Sequence, residues 1–126
     1  MPHSMNRVWI HAVWSTKWRY PFITLEMEEK IFQYIREQLQ DMGCQVSIIN
    51  GMPDHIHCLF RLSREISIAE VIKQIKGSSS HFINQIQLFP QKFTWQSGYG
   101  VFSVSESALP IVHAYIKNQK IRHNNP

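Results

Sequence analysis

The chain has 126 residues, 44% of them hydrophobic and 12% aromatic, which fits one folded domain with a single core and leaves no room for a second. No apolar run approaches the ~18 residues of a membrane span, and the N-terminus lacks the charged-then-apolar order of an export signal. A cytoplasmic protein is expected, with Cys44 and Cys58 as free thiols and not as a disulfide framework. Net charge is only +4, but it is unevenly placed. Five of the nine acids (Glu26, Glu28, Glu29, Glu37, Asp41) crowd one segment, while the six Lys/Arg after Glu70 face Glu106 alone. That asymmetry suits a phosphate-bearing partner, with Trp95 and Tyr99 near enough in sequence for bases to stack on, and it equally suits an ordinary basic surface.

In chain order, residues 7–14 (RVWIHAVW) are rich in β-branched and aromatic types and predict a strand with two apolar faces. After a loop containing Pro21, Thr24 is an N-cap with Glu26, Glu28 and Glu29 in the first turn. Ile31, Ile35, Leu39 and Met42 then recur at spacings of four and three up to Gly43, the pattern of a helix of about five turns. Residues 44–49 predict a second strand, "NGMPD" a turn, and residues 55–62 a third strand, together a hairpin. "SIAE" at residues 67–70 is a capping box. It opens a helix whose inner face carries Ile68, Val71, Ile72, Ile75, Phe82, Ile83 and Ile86, interrupted at Gly77 and Ser78–Ser80. That small-residue patch beside Lys73 and Lys76 suits either close approach to phosphate or close packing. Residues 88–100 predict a loop, 101–105 a fourth strand, and the segment from Ser107 through Pro110 to Arg122 a last helix. The order βαββαβ followed by α is the α+β, ferredoxin-like plan with an added C-terminal helix, in one domain over residues 1–126.

Chemistry concentrates in "PDHIHCLF", residues 53–60. On a strand, His55, His57 and Leu59 share one face, and two imidazoles about 7 Å apart along it can converge on one metal ion. They suit equally well two half-buried, hydrogen-bonded histidines. Cys58 points to the opposite face and no C-x-x-C accompanies it, which argues against structural zinc. Two imidazoles with an amide or carboxylate oxygen would instead suit Mg²⁺ or Mn²⁺. The sequence has no Walker loop, G-x-G-x-x-G or G-x-S-x-G, and Asp41 and Asp54 are its only aspartates, too few for a carboxylate-built two-metal nuclease. A tyrosine hydroxyl remains a candidate nucleophile for a phosphodiester. Tyr115 and Gln119 stand four apart in "YIKNQ", but so do Tyr34 and Gln38 in "YIREQ". Spacing does not choose between them; charge favours Tyr115, because Tyr34 sits among acids that repel phosphate.

Five segments in order, "IHAVWSTKWR" (10–19), "PDHIHCLF" (53–60), "IKGSSSHFIN" (75–84), "WQSGYGVFSVS" (95–105) and "YIKNQKIRH" (115–123), resemble the HUH single-tyrosine transposases of the insertion-sequence-two-hundred type, relatives of the REP-associated tyrosine transposases. The resemblance implies a transposase that cuts and rejoins single-stranded DNA beside hairpins through a 5′-phosphotyrosine. By the same resemblance His55, His57 and Gln119 would hold a divalent metal, Mg²⁺ or Mn²⁺, and Tyr115 would be the nucleophile. It also implies a homodimer, in which the tyrosine helix can act in trans, working in the cytoplasm of a bacterial or archaeal cell. Lys73, Lys76, Lys117 and Arg122 are the candidate DNA-backbone contacts. The rival expectations are a domesticated or non-catalytic hairpin-binding module and an HUH relaxase or replication initiator.

Overall fold

The structure is a computed structural model that describes residues 7–86 and 91–124, with side chains through Ile121. Strand β1 (Trp9–Ser15) leads through a 3-10 turn at Lys17–Arg19 to helix α1 (Leu25–Asp41). Strands β2 (Gln45–Met52) and β3 (His55–Arg61) follow, then helix α2 (Ile68–Ile86) and strand β4 (Gly100–Val104). A second 3-10 turn at Glu106–Ala108 opens onto helices α3 (Leu109–Lys117) and α4 (Gln119–Asn124).

The two long helices form where the sequence places their caps. Thr24 Oγ1 accepts from the Met27 N–H at 3.3 Å, and Ser67 Oγ accepts from the Glu70 N–H at 3.2 Å, each satisfying a donor that a helix start leaves without a partner. Ile31, Ile35 and Leu39 of α1 and Val71, Ile72, Ile75 and Ile83 of α2 are buried. Gly43, at φ +82°, takes the left-handed position that ends α1.

All strand pairs are antiparallel and the sheet order is β2-β3-β1-β4. This is the ferredoxin-like arrangement, in which each βαβ unit skips a neighbour. One sheet face, with Ile10, Ala12, Trp14, Ile56, Cys58 and Phe60, forms the main core against α1 and α2. The other face carries a smaller cluster of Leu59, Val104 and Ile116, with Trp9, Ile48 and Leu109 packed on it, and lies under α3. The histidine pair belongs to this second face.

Three features differ from expectation, each for a physical reason. The "NGMPD" turn shrinks to Pro53 and Asp54, because Asn50, Gly51 and Met52 pair in register with His57, Ile56 and His55. Gly51 is required there, since an added Cβ would overlap the His55 carbonyl oxygen and come within 3.0 Å of Ile56 Cα. Helix α2 runs without interruption through Gly77 and the three serines. Their hydroxyls donate back to carbonyls three residues earlier, and fully buried Ser79 accepts from Trp95 Nε1 at 2.9 Å, so at Ser79 the small side chain serves close packing. The last helix is two helices broken at Asn118, where Asn50 Nδ2 donates to the carbonyls of Ile116 and Lys117 at 3.0 and 3.2 Å. Of the expected loop over residues 88–100, residues 88–90 lie outside the described ones; in the rest Trp95 bridges to Thr16.

Candidate active site

The site is assembled on the central strands. His55 and His57 on β3 are 7% and 6% exposed, and their ring centroids are 5.0 Å apart. In the register, Ser15 and Val13 of β1 stand opposite them on one side, Met52 and Asn50 of β2 on the other. Each Nδ1 is held. Asp54 Oδ1 lies 2.7 Å from His55 Nδ1, and His11 Nε2 lies 2.8 Å from His57 Nδ1. Asp54 is fixed in turn by Arg19, whose Nη2 is 3.0 Å from Oδ2. Partial burial would raise the Asp54 carboxyl, but the hydrogen bonds from His55 and Arg19 and their positive charge outweigh it, and its pKa falls below the ordinary carboxylate value. Burial lowers the pKa of His11, which favours a neutral ring whose Nε2 can accept a hydrogen bond from His57 Nδ1–H.

Helices α3 and α4 bring the other two candidates. Tyr115, 40% exposed, has its ring centroid 5.8 Å from that of His57 and 6.3 Å from that of His11. Gln119 is 1% exposed; its Nε2 donates to the Tyr115 carbonyl at 3.3 Å, while its Oε1 is buried with no hydrogen-bond partner. His55, His57, Tyr115 and Gln119 line one cavity of about 540 Å³, together with Arg19 and Tyr99. Tyr34 is elsewhere: it stacks on Phe82 at 4.3 Å, between α1 and α2 on the far side of the sheet. The geometry therefore separates the two tyrosines that spacing left level. Cys58 is wholly buried in the main core and its thiol is pushed up by burial. Cys44 is buried too, its thiol raised by burial against a hydrogen bond from the Ser63 backbone.

Residues 4–119 match the protein family described as "Transposase IS200 like". The chain belongs to that family. As an IS200-like transposase its enzymatic class is that of a DNA transposase. Among its relatives is the ISDra2 transposase TnpA of Deinococcus radiodurans, 26% identical over 114 residues, covering 86% of this chain and 81% of the relative. A crystal structure assigned to a transposase from Deinococcus radiodurans R1 superposes with a TM-score of 0.73 at 23% identity, over 94% of this chain and 95% of that one. A REP-associated tyrosine transposase bound to a REP hairpin also superposes at 0.73, with 13% identity, over 98% of this chain and 73% of that one. The two structures share the fold.

The candidate cations of this transposase are dispersed. Lys76 Nζ donates to the carbonyls of Gln96 and Gly98, both at 2.8 Å, fastening the loop that borders the cavity, and partial burial lowers its pKa. Lys73 is exposed on α2 and Lys117 on α3. The Arg122 side chain lies outside those described. Sequence reasoning missed His11, Arg19 and Asn50, and passed over Lys120, whose Nζ reaches Asn50 Oδ1, Gly51 O and Glu28 Oε2 at 2.9, 3.0 and 3.0 Å and ties α4 to the hairpin and α1. Strand alternation places His11 and Val13 on one face of β1, but only the register reveals which face His57 shares. Among the described residues no three His, Cys, Asp or Glu side chains cluster as a metal site, and no helix is long and apolar enough to cross a membrane.

Proposed function

We propose that this transposase cleaves and rejoins single-stranded DNA beside hairpins, with Tyr115 as nucleophile and His55, His57 and Gln119 as ligands of one divalent metal ion. The observation that carries the reading is Gln119 Oε1: a buried acceptor without a partner, lining the same cavity as the two histidines. Such an atom costs about 1–3 kcal/mol unless something satisfies it. A cation satisfies it, and the Nδ1 contacts of His55 to Asp54 and of His57 to His11 are the outer contacts that orient imidazoles toward a metal through Nε2. Two nitrogens and an amide oxygen form a borderline-hard set that suits Mg²⁺ or Mn²⁺.

When bound, the ion would polarise the scissile phosphate and offset its developing charge. Tyr115 Oη forms the new bond to phosphorus as the bond to the 3′-oxygen breaks. The phenol's proton ends on that oxygen, giving a 5′-phosphotyrosine and a free 3′-hydroxyl. The phosphotyrosine conserves the broken bond's energy, so the reverse attack by a 3′-hydroxyl needs no ATP. Tyr115 stands at the open side of the cavity, 40% exposed, where a strand can reach it. Lys73, Lys76, Lys117 and Arg122 would contact the backbone, which makes affinity fall with salt. A relative seen bound to a REP hairpin supports hairpin DNA as the partner. The homodimer, and work in the cytoplasm, belong to the same reading.

The test is a labelled single strand carrying a hairpin, incubated with protein and Mg²⁺ or Mn²⁺. A covalent adduct lost in Tyr115→Phe and kept in Tyr34→Phe is expected. Hairpin binding with no adduct under either metal would favour a non-catalytic binding module instead.

A further inference from the structure

Trp18 and Arg19 both have left-handed backbone, at φ 61° and 55°, a conformation disfavoured for residues that carry a Cβ. Two such residues in succession persist only where the surroundings over-determine them. Here the Trp18 N–H donates to Gln96 Oε1 at 3.1 Å, the Arg19 N–H to Thr16 O at 3.0 Å, and Thr16 Oγ1 to Tyr20 O at 2.7 Å. Packing of Trp18 does not account for this framework, because its side chain is held out in solvent. Trp18 is 83% exposed, whereas Trp14 and Trp95 are buried. An indole in that position forgoes the burial that usually explains a tryptophan in a folded chain.

The turn sends neighbouring side chains into two different hollows. Arg19 enters the active-site cavity and pairs with Asp54. Lys17, Trp18, Tyr20, Lys92 and Phe93 line a second cavity of about 470 Å³. Among the described residues no acid lines it, and Lys17 Nζ lies 5.8 Å from the centre of the Trp18 ring. An exposed aromatic ring beside Lys17, in a cavity that Lys92 also lines and one residue from a side chain of the active site, is the arrangement that takes unpaired bases by stacking while the lysines take phosphates.

We propose that Trp18 is a stacking platform for one unpaired base of the DNA strand, with Lys17 and Lys92 on the adjoining phosphates. The proposal rests on the single-stranded-DNA reading of the Tyr115 site for its substrate class. The expected geometry has the strand crossing the Lys17–Tyr20 turn, one nucleotide parked on Trp18 and its neighbours passing Arg19 toward Tyr115.

The experiment titrates the full chain, and its Trp18→Ala and Trp18→Phe variants, with a short single-stranded oligonucleotide and with a blunt duplex of the same sequence. Tryptophan fluorescence and thermal melts are recorded alongside. For the single strand, Trp18→Ala should lose between about 5- and 150-fold in affinity, the loss of one stacked base, and Trp18→Phe should keep most of it. Duplex affinity and melting temperature should stay unchanged, since the side chain is exposed. Saturating single strand should quench the wild type by an amount that Trp18→Phe lacks. Unchanged single-strand affinity in Trp18→Ala, an equal loss on the duplex, or no single-strand binding by the wild type would each overturn the platform. Covalent adduct at Tyr115 is scored in the same samples. Adduct with Trp18-independent binding sinks the platform alone, and Trp18-dependent binding without adduct sinks only the nuclease reading.

Discussion

Replacing Gln119 by methionine should stabilise the protein while weakening its hold on a metal ion. The side chains are similar in volume, so the packing under α4 is retained. What is removed is a buried amide whose Oε1 lacks a partner and whose Nε2 makes one long hydrogen bond to the Tyr115 carbonyl, at 3.3 Å. Relief of the orphaned acceptor is worth about 1–3 kcal/mol, and loss of a neutral hydrogen bond costs about 0.5–1.5 kcal/mol. The difference is a gain of about 1 kcal/mol, or about 3–5 °C in Tm for a domain of this size. Divalent ion reverses the order. At about 100 times its Kd a ligand that binds only the folded state adds ~2.7 kcal/mol, and the variant, with one ligand fewer, should gain much less. Thermal melts of both proteins in EDTA and across a Mn²⁺ titration read the two effects separately. A Gln119→Met protein that melts below wild type in EDTA would show that the amide is satisfied in the fold, and one that keeps the full Mn²⁺ shift would show that Gln119 is no metal ligand.

Three further outcomes follow from other contacts. Gly51→Ala forces its Cβ against the His55 carbonyl and should cost about 1–3 kcal/mol as an overpacking change, read by urea unfolding, with His55 displaced and adduct yield reduced. Cys58 is wholly buried with its thiol raised, so the unfolded chain gives up this proton first, near pH 8.5. Stability should therefore fall as pH rises above that value, by up to about 1.4 kcal/mol per unit. Cys58→Ala should flatten that limb of a pH series of unfolding curves, and an unaltered slope would show that the thiol is not its source. Tyr115 lies beside His57 of its own chain, so mixing Tyr115→Phe with His57→Ala should yield no adduct; recovery on mixing would mean that the tyrosine helix works in trans.

Local rules made much of the fold legible. The Thr24 cap, the Ile31–Ile35–Leu39 stripe and Gly43 mark α1 because each acts within a turn or two of itself, and strand alternation separates His55 and His57 from Cys58 for the same reason. Where expectation failed, a distant partner outweighed a local preference. Gly77 and the serines favour a break, yet burial of Ser79 under Trp95 carries α2 through. "NGMPD" has turn composition, yet pairing with β3 extends β2 to Met52. The break at Asn118 depends on Asn50, more than sixty residues away. The site follows the same division. The histidine pair can be read from its own strand, whereas His11 on His57, Arg19 on Asp54 and Lys120 on Asn50 join segments that no periodicity connects.

In the proposed function, one particular phenol of four takes the DNA strand. The chain has Tyr20, Tyr34, Tyr99 and Tyr115, and digestion of the protein–DNA adduct followed by mass spectrometry identifies which of them carries the 5′-phosphate. The modified peptide should contain Tyr115, and only in samples that received a divalent ion; a phosphate on any other tyrosine, or an adduct formed in EDTA, would rule out Tyr115 as a metal-dependent nucleophile.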